Sequence, residues 1–173
     1  VKTIRTLLFA AIAACAGLAA FIYSGSYPVG ADVRHTAFTH WALETLRDRS
    51  IDRAAASIEV PALDDPELLL MGGPDYNDMC TGCHLKPGLE ESDLSVGLYP
   101  APPDLTEKAA DPRRQFWVIK HGIKASGMPA WGPTHDDQRI WAMVAFLQKL
   151  PDLNAQQYQI LTARDDDDAG DHH

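Results

Sequence analysis

The chain has 173 residues, with 15 Lys plus Arg against 24 Asp plus Glu and a formal net charge of -9. That length suits one compact domain with extensions. The acidic balance argues against a nucleic-acid binder, which would carry a basic face, and suits a soluble domain that docks on basic surfaces or simply stays in solution.

Residues 1–30 read as a separate segment. Lys2 and Arg5 precede an uncharged run from Leu7 to Tyr23, at the short end of a bilayer span; Thr6 and residues 24–27 lengthen it. Positive charge at its start predicts a signal anchor: that end stays in the cytoplasm, and Tyr23 and Tyr27 lie at the outer interface. The product is a single-pass inner-membrane protein with its main domain in the periplasm. A cleaved secretory signal competes with this reading. So does a lipoprotein modified at Cys15, in Ile12-Ala13-Ala14-Cys15, although the apolar run continues past Cys15 without need. Otherwise Cys15 is a small apolar residue of a membrane helix. All three readings export the remainder.

Residues 31–65 join this segment to the rest. Gly25, Pro28 and Gly30 mark a loop. From Ala37 to Ile58 the pattern is helical, with a candidate break near Ser50. Phe38, Trp41, Ala42, Thr45 and Leu46 form the apolar stripe, and Glu44 and Asp48 face the other way. The stripe is expected to pack on the main domain or, less commonly, to lie on the membrane. His35 and His40 flank the helix start; solvent positions are favoured over a metal or partner contact.

Asp65-Pro66-Glu67 predicts a helix start: an aspartate cap, proline in the first turn and an acid near the positive end of the dipole. Gly72-Gly73-Pro74 predicts a kink or short break. The helix leads into Cys80-Thr81-Gly82-Cys83-His84. Two cysteines three apart, followed at once by histidine, are the attachment signature for c-type haem. Each thiol can add to one porphyrin vinyl group, and the adjacent imidazole then reaches the iron. Gly82 keeps bulk away from the ring. A zinc half-site or redox dithiol are the alternatives. Zinc would want a second ligand pair, and a thioredoxin-like dithiol would want a strand–helix setting; neither is evident.

With Gly72, Tyr76 and Cys80 at four-residue steps, this stretch resembles the class I cytochrome c family. There a helix with a small residue, and an aromatic one turn on, crosses the C-terminal helix and delivers the CxxCH; Gly72 and Tyr76 match those places. The resemblance covers roughly 66–150. It implies that Met128, in Gly127-Met128-Pro129-Ala130-Trp131, is the second axial ligand beside His84. Gly127 can supply unusual backbone angles and Pro129 pins the loop. A thioether is a soft ligand that raises the potential. Met71, Met79 and Met143 read better as core, and His121 is the runner-up ligand. The resemblance further implies that Tyr99-Pro100-Ala101-Pro102-Pro103-Asp104-Leu105 lies against the histidine side. A carbonyl near Pro102 would accept the His84 ring proton, and Leu105 would press on the porphyrin.

Lys86 to Gly97 reads as surface loop. Asp111-Pro112 opens a helix that Gly122 closes, with Phe116, Trp117 and Ile119 apolar. Trp117 either approaches the haem or packs ordinarily. Arg113 and Arg114 either meet a propionate or, as favoured, face water. Thr134-His135-Asp136-Asp137 opens the last helix, carrying Ile140, Trp141, Val144, Ala145 and Leu147, and Pro151 ends it. By the resemblance, Trp141 packs across the first helix near Gly72. Beyond Pro151 no pattern is evident, and the acidic residues from Asp165 onward are expected to be disordered.

The expected fold is all-α: a class I cytochrome c fold of three to five helices around one covalent haem, after a transmembrane helix and an amphipathic linker helix. Its parts are 1–30, 31–65, the haem domain 66–151 and an extension 152–173. The haem-contacting residues are Cys80, Cys83, His84, Met128, Pro102, Leu105, Tyr76 and Trp141. The expected function is single-electron transfer between redox protein partners, with no enzymatic turnover and no small-molecule substrate. A fixed subunit of a larger membrane oxidoreductase is the nearer alternative. An open-site haem enzyme or gas sensor is the more distant one, since no distal acid–base group stands beside Met128.

Overall fold

A computed structural model describes residues 1–164; the acidic stretch expected to be disordered lies outside the described residues. Helices α1 to α8 span Lys2–Ser24, Ala37–Ala55, Pro66–Met79, Thr81–His84, Asp93–Gly97, Pro112–His121, Asp137–Lys149 and Ala155–Thr162, with a 3₁₀ turn at Leu150–Asp152. Among the described residues no strand forms; one isolated bridge joins Lys86 and Leu89. The chain divides into two compact units, Val1–Arg34 and the part from His35 on.

The first unit is α1, a 23-residue helix closed by Gly25 at φ 62. At 1.5 Å per residue it is about 35 Å long, enough for a hydrocarbon core of about 30 Å. Its mean hydropathy reaches 2.2, and among the described residues it is the one helix long and apolar enough to cross a membrane.

In the second unit, α3 and α7 cross at the centre. Ile140, Met143, Val144, Phe146 and Leu150 bury almost completely, as does Tyr76 of α3. Each such side chain contributes about 1.5–3 kcal/mol. The helix α3 runs through Gly72-Gly73-Pro74 without the expected break. The two glycines serve close approach instead: a Cβ would stand 2.1 Å from the Ala142 carbonyl oxygen at Gly72, and 2.2 Å from that of Leu161 at Gly73. The aromatic that meets Tyr76 is Phe146, ring centroids 5.5 Å apart. Trp141, expected near Gly72, instead stacks on Phe116 of α6 at 4.2 Å.

Two short helices escaped the sequence reading. Ser92 and Ser95 cap α5 reciprocally within the expected loop. Asn154 and Gln157 do the same for α8 in the stretch without evident pattern, and the Asn-x-x-Gln spacing was the available signal. Helix α8 places Tyr158, 3% exposed, against Phe146.

The buried carboxylate of Asp75 locks these helices. It accepts from Arg139 of α7 at 2.5 and 2.8 Å and from Arg164, beyond α8, at 3.2 Å. Asp75→Ala is expected to cost roughly 1–3 kcal/mol in chemical denaturation. That is less than a fully buried pair would lose, because the side chains of Arg139 and Arg164 are 30% and 35% exposed and rehydrate.

His135 stands at the entry to α7, its Nδ1 2.8 Å from Thr134 Oγ1 and its Nε2 buried without a partner among the described residues. Burial, then Arg139, hold its pKa below the usual histidine value. The unfolded chain therefore binds this proton more readily than the folded one. The stability contribution is complete above the unfolded value of about pH 6.5 and is lost as pH falls from there through the lower folded value, with a slope of at most about 1.4 kcal/mol per pH unit. His135→Gln should flatten this part of a stability-against-pH curve; an unchanged slope would contradict the assignment.

The helix α2 is continuous through Ser50, and its orientation reverses the expectation. Phe38, Trp41 and Leu46 are 74%, 61% and 68% exposed, whereas Ile51 and Ala55 are buried. Electrostatics and a second, shorter apolar row set the face. Arg114 of α6 turns to α2 and pairs with Asp52 and, at 3.7 Å, with Asp48. It does not simply face water. Arg113 does remain outside, paired with Asp111 at 2.7 Å. The residues leading into α2 meet the proline loop: the Tyr99 hydroxyl accepts from the His35 backbone N–H at 3.2 Å. The rings of His35 and His40 lie 5.3 and 6.3 Å from the Tyr99 ring. Both histidines are half-buried against this loop, and the side chain of His40, expected in solvent, remains 42% exposed, its Nε2 3.2 Å from Glu44.

Candidate cofactor site

The end of α3 creates the site. Helical bonds continue from Tyr76 O to Cys80 N, then from Cys80 O to His84 N at 2.8 Å, so the CxxCH segment is one tight helical turn. Thr81 Oγ1 donates to Asn77 O at 2.8 Å and secures the junction. The turn ends at Leu85, which adopts φ 66. Such a backbone is costly for a branched side chain. It is held by the Tyr76 hydroxyl, which donates to Leu85 O at 2.8 Å and lies 3.2 Å from His84 O. Burial raises the Tyr76 pKa, so the phenol keeps the proton it donates. Tyr76 thus braces the histidine from behind. Gly82 faces α5: Ser92 Oγ donates to its carbonyl, and a Cβ would lie 3.2 Å from Leu94.

The proline loop docks on the same turn. Leu105 N donates to His84 O at 3.2 Å, and His84 Nδ1 lies 2.9 Å from Pro103 O. A carbonyl can only accept, so Nδ1 carries the proton and Nε2 keeps its lone pair. The acceptor is the Pro103 carbonyl, next to Pro102 where one was expected; the Leu105–His84 bond fixes the register. Burial lowers the His84 pKa, against the opposing pull of the Pro103 carbonyl, so the ring stays neutral. Neutral imidazole is the ligating form.

The third component is the loop between α6 and α7. Gly122 takes φ 64 and lets the chain fold back on the end of α6. A Cβ there would stand 2.7 Å from Ala130 N. Ile123 N donates to Met128 O at 3.1 Å, and Trp131 N to Ile119 O at 3.0 Å. Ser126 Oγ accepts from Met128 N at 3.1 Å and donates to Ile123 O. The residues with positive φ are therefore Gly122 and Ala125, not Gly127. Gly127 is small for another reason: a Cβ would lie 2.7 Å from the Leu98 side chain.

These pieces enclose a cavity of about 460 Å³, bordered by Cys80, Cys83, His84, Pro102, Leu105 and Met128. That size lies within the ~300–1,000 Å³ of small-molecule and cofactor sites. Leu98, Val118, Ile119, Ile123 and Leu147 add apolar wall. Tyr76 and Trp141, expected against the porphyrin, do not border the cavity: Tyr76 braces the histidine and Trp141 packs on α6. His121 lies exposed at the end of α6, its ring 5.0 Å from Trp117, and neither borders the cavity. One wall was missed entirely. Glu44, Arg47, Asp48 and Ile51 of α2 line the cavity. Their i, i+3, i+4, i+7 spacing was a visible stripe, hidden by its charged half.

The donor set fits a covalently bound haem: two free thiols, an imidazole nitrogen with its lone pair available, and a thioether sulfur, on apolar walls. It does not fit the alternatives weighed above. Burial, with Asp75 and Cys83 adding, pushes the Cys80 thiol up to about 12. A nucleophilic redox cysteine needs the opposite shift. Among the described residues no group of three or more His, Cys, Asp or Glu converges as a metal site.

Residues 70–147 match the family model described as cytochrome C oxidase, cbb3-type, subunit III. No curated protein and no solved structure matches the chain significantly.

Proposed function

Because the chain carries a class I c-type cytochrome domain, we propose that it is a membrane-anchored electron carrier with one haem c, attached through Cys80 and Cys83 and ligated by His84 and Met128. The observation that carries this reading is the convergence of the CxxCH turn and the Met128 loop on one apolar cavity. Bound haem supplies a one-electron iron couple. The chain's own residues tune and protect it. Pro103 O holds the His84 ring proton at Nδ1 and so turns Nε2 to its task. Tyr76 and Leu105 N fix the His84 and Leu85 carbonyls, so the imidazole does not swing when charge changes. Met128 provides a neutral, soft sulfur that favours the reduced metal and raises the potential. The apolar walls exclude water and limit reorganisation.

The helix α1 is the anchor of this carrier. Lys2 and Arg5 favour a cytoplasmic N-terminal end and a periplasmic haem domain. Donor and acceptor are redox proteins that approach this domain. The family description favours a second reading, a fixed subunit of a larger membrane oxidoreductase. Extraction in mild detergent followed by native mass measurement separates the two: a single chain supports the carrier, a defined assembly the subunit.

The main test is the mass and visible spectrum of the purified protein. The proposal expects an intact mass above that of the polypeptide by one haem, retained after denaturation. Cys80→Ser and Cys83→Ser should each leave one thioether, and the double variant should release the group on denaturation. A colourless wild-type protein of bare polypeptide mass, expressed alongside haem-attachment machinery, refutes it.

A further inference from the structure

We propose that the outward face of α2, with Phe38, Trp41 and Leu46 followed by Arg49 and Arg53, rests on the headgroup layer of a lipid bilayer. This extends the proposed function and relies on its reading of α1 as a membrane span. With 3.6 residues per turn, these five positions fall along one stripe. Phe38, Trp41 and Leu46 are each more than 60% exposed, and Arg49 and Arg53 are exposed as well. The rings of Phe38 and Trp41 pack on each other at 5.8 Å, making a small apolar platform.

The helix cannot rotate to bury this platform in its own domain. Its inward face is fixed by buried Ile51 and Ala55, and Arg114 holds Asp48 and, at the edge of the stripe, Asp52. What covers the platform therefore comes from outside the domain. Only 12 residues separate α1 from α2. Fully extended, they reach about 40 Å. A bilayer crossed by α1 is thus always within range, and attachment to it is effectively intramolecular. The chemistry of the stripe matches that surface. Tryptophan favours the interfacial layer, phenylalanine and leucine beside it suit the apolar face of an interfacial helix, and the neighbouring arginines suit anionic headgroups.

The docking also orients the domain. The cavity lies against Glu44, Arg47, Asp48 and Ile51, on the other side of α2. The α2 wall becomes the wall nearest the lipid, and redox partners approach from the remaining sides.

The test uses the full-length haem-loaded protein in nanodiscs of phosphatidylcholine and phosphatidylglycerol. Nitroxide labels are placed on native Cys15 and, in a Cys15→Ser background, on Phe38→Cys, Leu46→Cys and the exposed α8 control Gln159→Cys. Collision rates with oxygen and with a water-soluble nickel chelate are then compared. The proposal expects oxygen to exceed nickel several-fold at 38 and 46, as at 15, with the reverse at 159. Water-like behaviour at 38 and 46 with lipid-like behaviour at 15 overturns the docking and leaves the anchor standing. Water-like behaviour at 15 as well removes both. Shielding from both reagents, with nitroxide–nitroxide broadening, assigns the face to a second copy and overturns the lipid assignment.

Discussion

Met128→Leu is expected to lower the midpoint potential by on the order of 0.1–0.3 V, a fraction of the ~0.8 V that axial ligands span. The weak red-edge absorption of a sulfur-ligated ferric haem should vanish with it. Leucine is the informative replacement because it keeps the volume of a side chain packed against the core. Volume-conserving swaps of this kind usually cost under about 1.5 kcal/mol. Met128→Ala would mix the loss of a ligand with a cavity. The loop should survive either change, since its bonds run through backbone atoms and Ser126 Oγ, not through the methionine sulfur. His121 offers no substitute ligand from its exposed position at the end of α6. An unchanged potential and spectrum in Met128→Leu would leave the sulfur outside the coordination sphere and reopen the open-site haem reading.

The parts of this site that were legible in the sequence are those whose chemistry is local. The CxxCH spacing is set by two bonds and a ligand within one turn, so no tertiary information is needed to read it. The caps at Asp65 and Asp111 are local for the same reason, and each does accept the predicted kind of backbone bond, while the last helix takes Asp136 as its cap, two residues beyond Thr134. The failures come where two segments decide together. In α2, periodicity identifies two stripes but not which one faces inward. The aromatic stripe looked like core, yet the ion pairs with Arg114 and the burial of Ile51 turn the other stripe to the cavity. Which carbonyl near Pro102 accepts, that of Pro103, is decided by the register of the loop, set by Leu105 N on His84 O. Tyr76 shares a face with Cys80 and so resembled a wall of the cavity. Its hydroxyl is instead spent on the carbonyls that hold the histidine.

Gly72→Ala should destabilise the domain strongly, against the sign of helix propensity. In an exposed helix interior the change from glycine to alanine gains about 1 kcal/mol. Here the added Cβ would stand 2.1 Å from Ala142 O, 2.3 Å from Ala142 C and 2.7 Å from Met143 N. All three are backbone atoms of α7, in a stretch where Ala142, Met143, Val144 and Ala145 are essentially fully buried. No rotamer relieves the contact; α3 and α7 must separate, opening the packing around Tyr76 and Phe146. Overpacking typically costs about 1–3 kcal/mol, and a rigid backbone neighbour puts this case at or above the upper end. Gly73→Ala is the internal comparison. Its Cβ would stand 2.2 Å from Leu161 O, nearly as close, but that atom lies in the short terminal helix α8. Such an element can shift with less loss. The prediction is therefore an order, read from urea midpoints of the haem-loaded protein: Gly72→Ala well below Gly73→Ala, and both below wild type. Equal midpoints for the two variants would mean that α7 yields as easily as α8, and the central crossing would not be the rigid core of this domain.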